Sequence, residues 1–375
     1  MRFRVAPKWP RTFFGAALTG ASLVCGLAYA VGAAPAGGPR NESSLWGNDA
    51  AMPLLKIEAA QPDLLQVGPS NHAYWIADGV WGAKGMTRGT FTTVNGTTYE
   101  TAYGASKMVG PGGEVGWRSA WKFPDTPAPC GPKSDCYQEI KTYPAAVFGA
   151  KPGWANPANM PGGFKVRLWP GKEYSYERTR TPGSFLPMKA NGALPPIHSS
   201  FSYRHLVSPE KGRGQLTYDI WLQNTAKQCH GFNNCQELTH EIMIPLTYWG
   251  GYGKCGTRNP AWEVKDSKGA HKVVAIDGRD WCLYKARHMG GTWDPVKQAR
   301  SGGWTLIVFE PMKPLPPDTV HRLNLSGFIN HLTKETDADG PWASGTEHLV
   351  SVELGAEVQF GVGDMAITNY RVWKP

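Results

Sequence analysis

Acidic residues stand at odd-numbered positions in three stretches that alternate apolar and polar side chains. In QLTYDIWLQ, Leu216, Tyr218, Ile220 and Leu222 alternate with Thr217, Asp219, Trp221 and Gln223. In HEIMIPLTYW, Ile242, Ile244, Leu246 and Tyr248 alternate with Glu241, Met243, Pro245 and Thr247. In HLVSVELGAEVQFG, Val352, Leu354, Ala356, Val358 and Phe360 alternate with Ser351, Glu353, Gly355, Glu357 and Gln359. Side chains along a strand point to opposite faces in turn, so each stretch has one apolar face and one polar face. If the three strands share a sheet, Asp219, Glu241, Glu353 and Glu357 line one groove. Ordinary solvated faces favour Lys, Thr and Glu, whereas these offer no Lys or Arg and set carboxylates beside Trp221 and Met243. Sugars need such a surface, with rings to stack on their C–H faces and acids or amides for their hydroxyls. Paired carboxylates also cleave glycosidic bonds, one as nucleophile and the other as the acid that protonates the leaving oxygen.

The elements that must position these acids are mostly strands. The 375 residues include 45 Gly, 31 Pro, 16 Trp, 14 Tyr and 13 Phe, which favours short strands joined by turns over helical packing. Strands are expected around Tyr74–Trp81, Thr90–Val94, Gly116–Phe123, Glu139–Tyr143, His198–His205, Leu216–Leu222, Glu241–Tyr248, Lys272–Ile276, Trp281–Lys285, Trp304–Phe309, Leu349–Val358 and Met365–Trp373. Val320–Thr333 is the only amphipathic helical stretch. Many strands with one late helix imply an all-β sandwich. The Pro- and Gly-rich section from Gly149 to Pro196 reads as a long loop or insertion.

At the N-terminus, Arg2, Arg4, Lys8 and Arg11 precede an apolar run from Phe13, and Ala28-Tyr29-Ala30 offers a cleavage site. Residues 1–30 are therefore expected to be a signal peptide, 31–69 a linker or loosely ordered extension, and 70–375 the globular domain. Secretion, extracellular or periplasmic, follows, with no membrane attachment once the signal is removed. Its removal takes away four basic residues and no acidic ones, lowering the formal charge from +9 to +5. That is mild for a nucleic-acid partner, and no basic block stands out. Of seven cysteines, Cys25 leaves with the signal. The other six read as three disulfides, with Cys130 paired to Cys136, Cys229 to Cys235 and Cys255 to Cys282, although other connectivities are open. Structural zinc uses shorter Cys pairs, and no H-x-x-x-H pair occurs among the histidines, so no metal is expected. A monomer without cofactor is the expected form.

The order of HEIMIPL, preceded by TYDIWL and followed by LGAEVQFG and ITNYRV, resembles glycoside hydrolase family 12, the endoglucanases and xyloglucanases with a β-jelly-roll fold. Upstream, IADGVWGAKG, VGWRSAWKF and QEIKTYP extend the likeness, which covers Tyr74 to Trp373. The resemblance implies a two-sheet jelly roll with a concave substrate cleft. It further implies Glu241 as nucleophile, Glu357 as general acid/base, Asp219 as hydrogen-bond partner of the nucleophile, and Trp81 as a sugar-stacking platform, with Met243 beside the nucleophile. Trp121, Trp221 and Glu353 complete the expected substrate-binding surface. Glu353 stands where the family commonly has Gln, and like-charge repulsion from it is expected to raise the Glu357 pKa. Pro245 replaces the family's usual Trp, and His240 its usual Tyr. The implied activity is retaining endo-β-1,4-glucan hydrolysis, with a non-catalytic carbohydrate-binding sandwich as the rival. A retaining pair stands about 5 to 5.5 Å apart.

Overall fold

The structure, a computed structural model, describes residues 65–67, 74–77, 89–92, 98–109, 115–123, 140, 142–149, 151–152, 164–168, 172–176, 184–209, 212–226, 237–294 and 299–375. The expected signal peptide, Trp81, Cys130, Cys136, Cys229 and Cys235 lie outside these residues.

In chain order the strands are β1 Leu65–Val67, β2 Tyr74–Ala77, β3 Gly89–Thr92, β4 Thr98–Val109, β5 Val115–Phe123, β6 Ala145–Gly149, β7 Phe164–Leu168 and β8 Lys172–Tyr176. There follow β9 Met188–Lys189, β10 His198–Val207, β11 Arg213–Gln223, β12 Leu238–Trp249, β13 Val273–Ile276, β14 Arg279–Met289, β15 Thr292–Asp294 and β16 Ala299–Ser301. The last elements are β17 Trp304–Pro311, β18 His321–Asn324, helix α1 Leu325–Leu332, β19 Thr336–Asp337, β20 Gly340–Pro341 and β21 His348–Trp373.

The all-β, two-sheet sandwich expected from the alternation is present, with α1 the one α-helix among the described residues. One sheet runs β1-β2-β6-β21-β11-β12-β17-β14-β13. The other runs β3-β4-β5-β21-β10-β18. Strand β21 belongs to both: its residues up to Phe360 pair with β11 and β6, and those from Gly361 pair with β5 and β10. Two separate strands were expected here. Gly361, at φ +97°, stands where the strand leaves one sheet for the other, a conformation open to a residue without Cβ. Among the described residues every strand pairing is antiparallel except that between β12 and β17, which are parallel.

The apolar faces of β11, β12 and β21 meet side chains of the second sheet in one core. Tyr218, Ile220, Ile242, Ile244, Val352, Leu354 and Val358 are all fully closed to solvent there, beside Trp117, Phe201 and Ile367. Helix α1 caps this core with Leu325, Phe328, Ile329 and Leu332.

Several boundaries differ from expectation, each for a local reason. Leu65–Val67 pairs with β2, so a strand forms inside the span read as an extension. Glu139–Tyr143 is no strand in its described part: Thr142 makes an isolated bridge to Val358, and the ladder begins at Ala145, just after Pro144, which has no N–H to donate. The 149–196 section is not all loop, because β7 and β8 form a hairpin within it. Residues 321–324, read as helix, alternate buried His321 and Leu323 with exposed Arg322 and pair with β10 instead. Strand β4 was missed, its alternation being interrupted by Gly104.

Candidate active site

Strand register brings the four acids to one face. On β11, Asp219 stands opposite Glu353 of β21 and Met243 of β12, Trp221 stands opposite Ser351 and Glu241, and Gln215 stands opposite Glu357. Glu241 and Glu357 therefore share a face, as expected. Their backbone levels are six β11 positions apart, about 20 Å along an extended chain. The charge of Glu357 nevertheless acts on Glu241, more strongly than that of Glu353. Register fixes the backbone levels, while the separation of the carboxyl groups also depends on sheet twist and on how the side chains turn. The backbone thus does not by itself set the expected retaining separation.

The acid face is also more covered than its alternation suggests. Glu357 is only 4% exposed and Glu353 not at all, while Glu241 remains partly open. Each acid has its own partners. Trp304 Nε1 at the start of β17 donates to Glu241 Oε2 at 2.5 Å. Glu357 Oε2 accepts from Gln215 Nε2 and, at 3.3 Å, from the Tyr252 hydroxyl. Arg258 Nη2 donates to Gln215 Oε1 at 3.2 Å, and Arg258 also pairs with Glu310. Glu353 forms an ion pair with Lys151 and accepts from Ser351 Oγ at 3.2 Å.

The third expected disulfide explains how the Tyr252–Arg258 loop is held. Cys255 is bonded to Cys282 on β14, and Gly256 N donates to the Tyr284 hydroxyl at 2.6 Å. This staple ties the loop to the strand register in which Cys282 faces Glu310, so that Tyr252 and Arg258 reach the Glu357 end of the face.

Burial pushes the Glu241 carboxyl up to about 7, with the Trp304 hydrogen bond opposing and the Glu357 charge adding. Burial also raises Glu357, opposed first by Arg258 and then by Gln215 and Tyr252. The expected repulsion from Glu353 is not among the causes that raise Glu357, which stands four positions further along β21. Asp219 is held well above the usual carboxylate range by burial and then by Glu241 and Glu353. Its Oδ1 is buried without a hydrogen-bond partner, and no hydrogen bond joins it to Glu241, contrary to expectation. The reason is register: Asp219 faces Met243, one same-face position away from Glu241's level.

The expected aromatic surface is corrected in two places. Trp121, 3% exposed on β5, stacks on Trp249 with centroids 5.5 Å apart and belongs to the core between the sheets. Trp221 does lie on the acid face but is 2% exposed, packed with Leu238 and Val350 and edge-on to Trp304. Neither offers a ring to a sugar. Met243 packs with Cys282, Tyr284, Leu306 and Val308 on the same face. Trp304, Gln215, Tyr252, Arg258 and Lys151 were missed. Gln215 continues the β11 alternation and Trp304 begins that of β17, so both carried a signal; the other three come from loops and carried none.

A pH-dependent stability follows. A carboxyl whose pKa is raised on folding stabilises the fold at low pH and loses that contribution as pH rises through its folded value, here from about 4.5 to about 7 for Glu241. The buried histidines His205, His240, His321 and His331, all lowered, act in the opposite sense up to about 6.5, so the clean measurement is a difference. The melting temperature of Glu241→Gln minus that of the unaltered protein is expected to be near zero at pH 4 and to grow to roughly 3 to 6 °C at pH 8.

The fold and the face together define an all-β sandwich with a buried acid cluster built on one sheet. Among solved structures the chain is similar to a family 12 xyloglucanase from Bacillus licheniformis, at 23% identity and a TM-score of 0.49, over 82% of this chain and 97% of that one. It is also similar to the endoglucanase Cel12A from Rhodothermus marinus (20%, TM-score 0.48, 83% and 95%) and to the catalytic domain of Humicola grisea Cel12A (15%, 0.49, 84% and 100%). No family model and no curated protein sequence matches the chain. Its function is therefore read from its own residues.

Proposed function

We propose that the protein is a secreted retaining endo-β-1,4-glucanase, acting on cellulose, xyloglucan or mixed-linkage glucan. The observation that carries this reading is the placement of Glu241 and Glu357 on one sheet face, each held by separate donors, within strands whose order resembles that of family 12 glycoside hydrolases. Glu241 attacks the anomeric carbon and displaces the leaving oxygen, which Glu357 protonates. Glu357, now ionised, takes a proton from water, and the resulting attack releases the sugar from Glu241. Glu353 stands nearer Glu241 in register, but its ion pair with Lys151 and its complete closure to solvent remove it from proton transfer to a sugar. Asp219, whose buried Oδ1 has no hydrogen-bond partner and whose protonated form is favoured, stands on the same face one same-face position from the nucleophile's level and supports it there.

A non-catalytic sugar-binding sandwich would rely on exposed aromatic rings. Trp121 and Trp221 are both buried, whereas Glu241 is partly open on the acid face, which favours the enzyme. Reducing-end release from a panel of soluble β-glucans tests the reading. Release from at least one of them is expected, and binding without release from any would transfer the protein to the rival class.

A further inference from the structure

Lys151 is an odd residue to find on this face. It follows β6 directly, and β6 pairs with β21 so that Val147 faces Glu353 and Gly149 faces Ser351. The lysine side chain is 2% exposed and its Nζ bonds Glu353, with the Tyr143 ring centroid 5.3 Å away. Gly355, between Glu353 and Glu357, leaves the space this requires: a Cβ there would come within 2.7 Å of the Tyr143 ring. Among the described residues of the face the acids Asp219, Glu241, Glu353, Glu357 and Glu310 outnumber the cations Lys151 and Arg258, and Arg258 is committed to Glu310. Removing two charges from water costs several kcal/mol per ion, and a well-packed apolar pair often serves a fold as well or better. Stability is thus a weak reason for this pair.

We propose that Lys151 is a positioning residue of the site: by neutralising Glu353 beneath Asp219 it lets Glu241 and Glu357 work as a nucleophile and acid pair in a face otherwise overloaded with negative charge. This rests on the hydrolase reading above. The groups that bear on Glu241 are Trp304 from β17, Asp219 from β11, Glu353 and Glu357 from β21, and Lys151 after β6. Lys151 is the cation among them, and it favours the ionised form of Glu241 and, more weakly than Arg258, that of Glu357. Without it Glu241 would hold its proton to higher pH and fail to attack.

The test is the pH dependence of kcat/KM in Lys151→Met and, separately, in Glu353→Gln. Lys151→Met is expected to move the acidic limb up by about one pH unit, because a positive charge beside the nucleophile is lost. Glu353→Gln leaves the lysine unopposed and is expected to move the same limb down, which keeps the proposal open to refutation even if the first variant fails to fold. Lys151→Arg should hold the limb near its original place. Carboxyl-carbon NMR titration of Glu241 reads the same shifts without substrate, so an inactive parent protein would count against the hydrolase reading alone. Limbs and titration midpoints that stay in place in folded variants, with activity lowered equally at every pH, would reduce Lys151 to a structural role and overturn the proposal.

Discussion

Replacing Glu241 with Gln is expected to abolish β-glucan hydrolysis, lowering kcat by about four orders of magnitude or more, while the protein remains folded. The size follows from the role: without a carboxylate nucleophile the covalent route has no first step, and losses of this order accompany removal of a nucleophile that acts as part of a unit. The fold should tolerate the change because Gln keeps an oxygen for the Trp304 Nε1 proton and no longer has to ionise in a buried site. Circular dichroism and initial rates on the most responsive glucan check both halves. A variant retaining a tenth of the original rate would place the nucleophile elsewhere, with Asp219 the next acid to try.

Glu357→Ala should produce a different signature. Loss of a general acid costs roughly 10²- to 10⁴-fold on glucan, whose leaving sugar needs a proton. An aryl cellobioside with a leaving group that departs unprotonated should lose far less in the first step and then stall as the glycosyl-enzyme. Added azide, an anion that needs no general base, should restore turnover of that substrate. Equal losses on glucan and on the activated aryl substrate, with no azide response, would remove Glu357 from proton transfer. The partners of Glu357 make the outcome specific, since Gln215 and Tyr252 would lose their shared acceptor without disturbing the Trp304 contact to Glu241 at the other end of the face.

Much of this architecture is legible in the alternation of three stretches. Tyr218, Ile220, Ile242, Ile244, Val352 and Leu354 sort to the core, and Asp219, Glu241, Glu353 and Glu357 to the opposite face, because a period of two leaves no other arrangement once the apolar side is buried. Alternation does not say what lies over the polar side. Lys151, Tyr252 and Arg258 arrive from segments far away in the chain, and only the fold shows that they close over Glu353 and Glu357. Nor does it fix how far one strand slides along the next. In the unshifted run from Thr217 to Leu222, bounded by a register shift at each end, Asp219 stands level with Met243 and two positions from the level of Glu241. Aromatic residues are read least well, since a Trp suits a core and a sugar platform equally. Trp121 went to the core, where the absence of a side chain at Gly363 leaves room for its ring. The Cys255–Cys282 pairing followed from cysteine arithmetic, but its use as an anchor for the loop over Glu357 did not.

The double-displacement claim meets its most direct test in a covalent trap. A fluorinated β-cellobioside with an activated leaving group slows both steps but the second more, so the glycosyl-enzyme accumulates and intact mass followed by peptide mapping locates the ester. One sugar per protein, attached within the peptide carrying Glu241 and absent from Glu241→Gln, is the result expected. Attachment at Glu357 or Glu353, or hydrolysis of glucan with no adduct at any carboxylate, would contradict it.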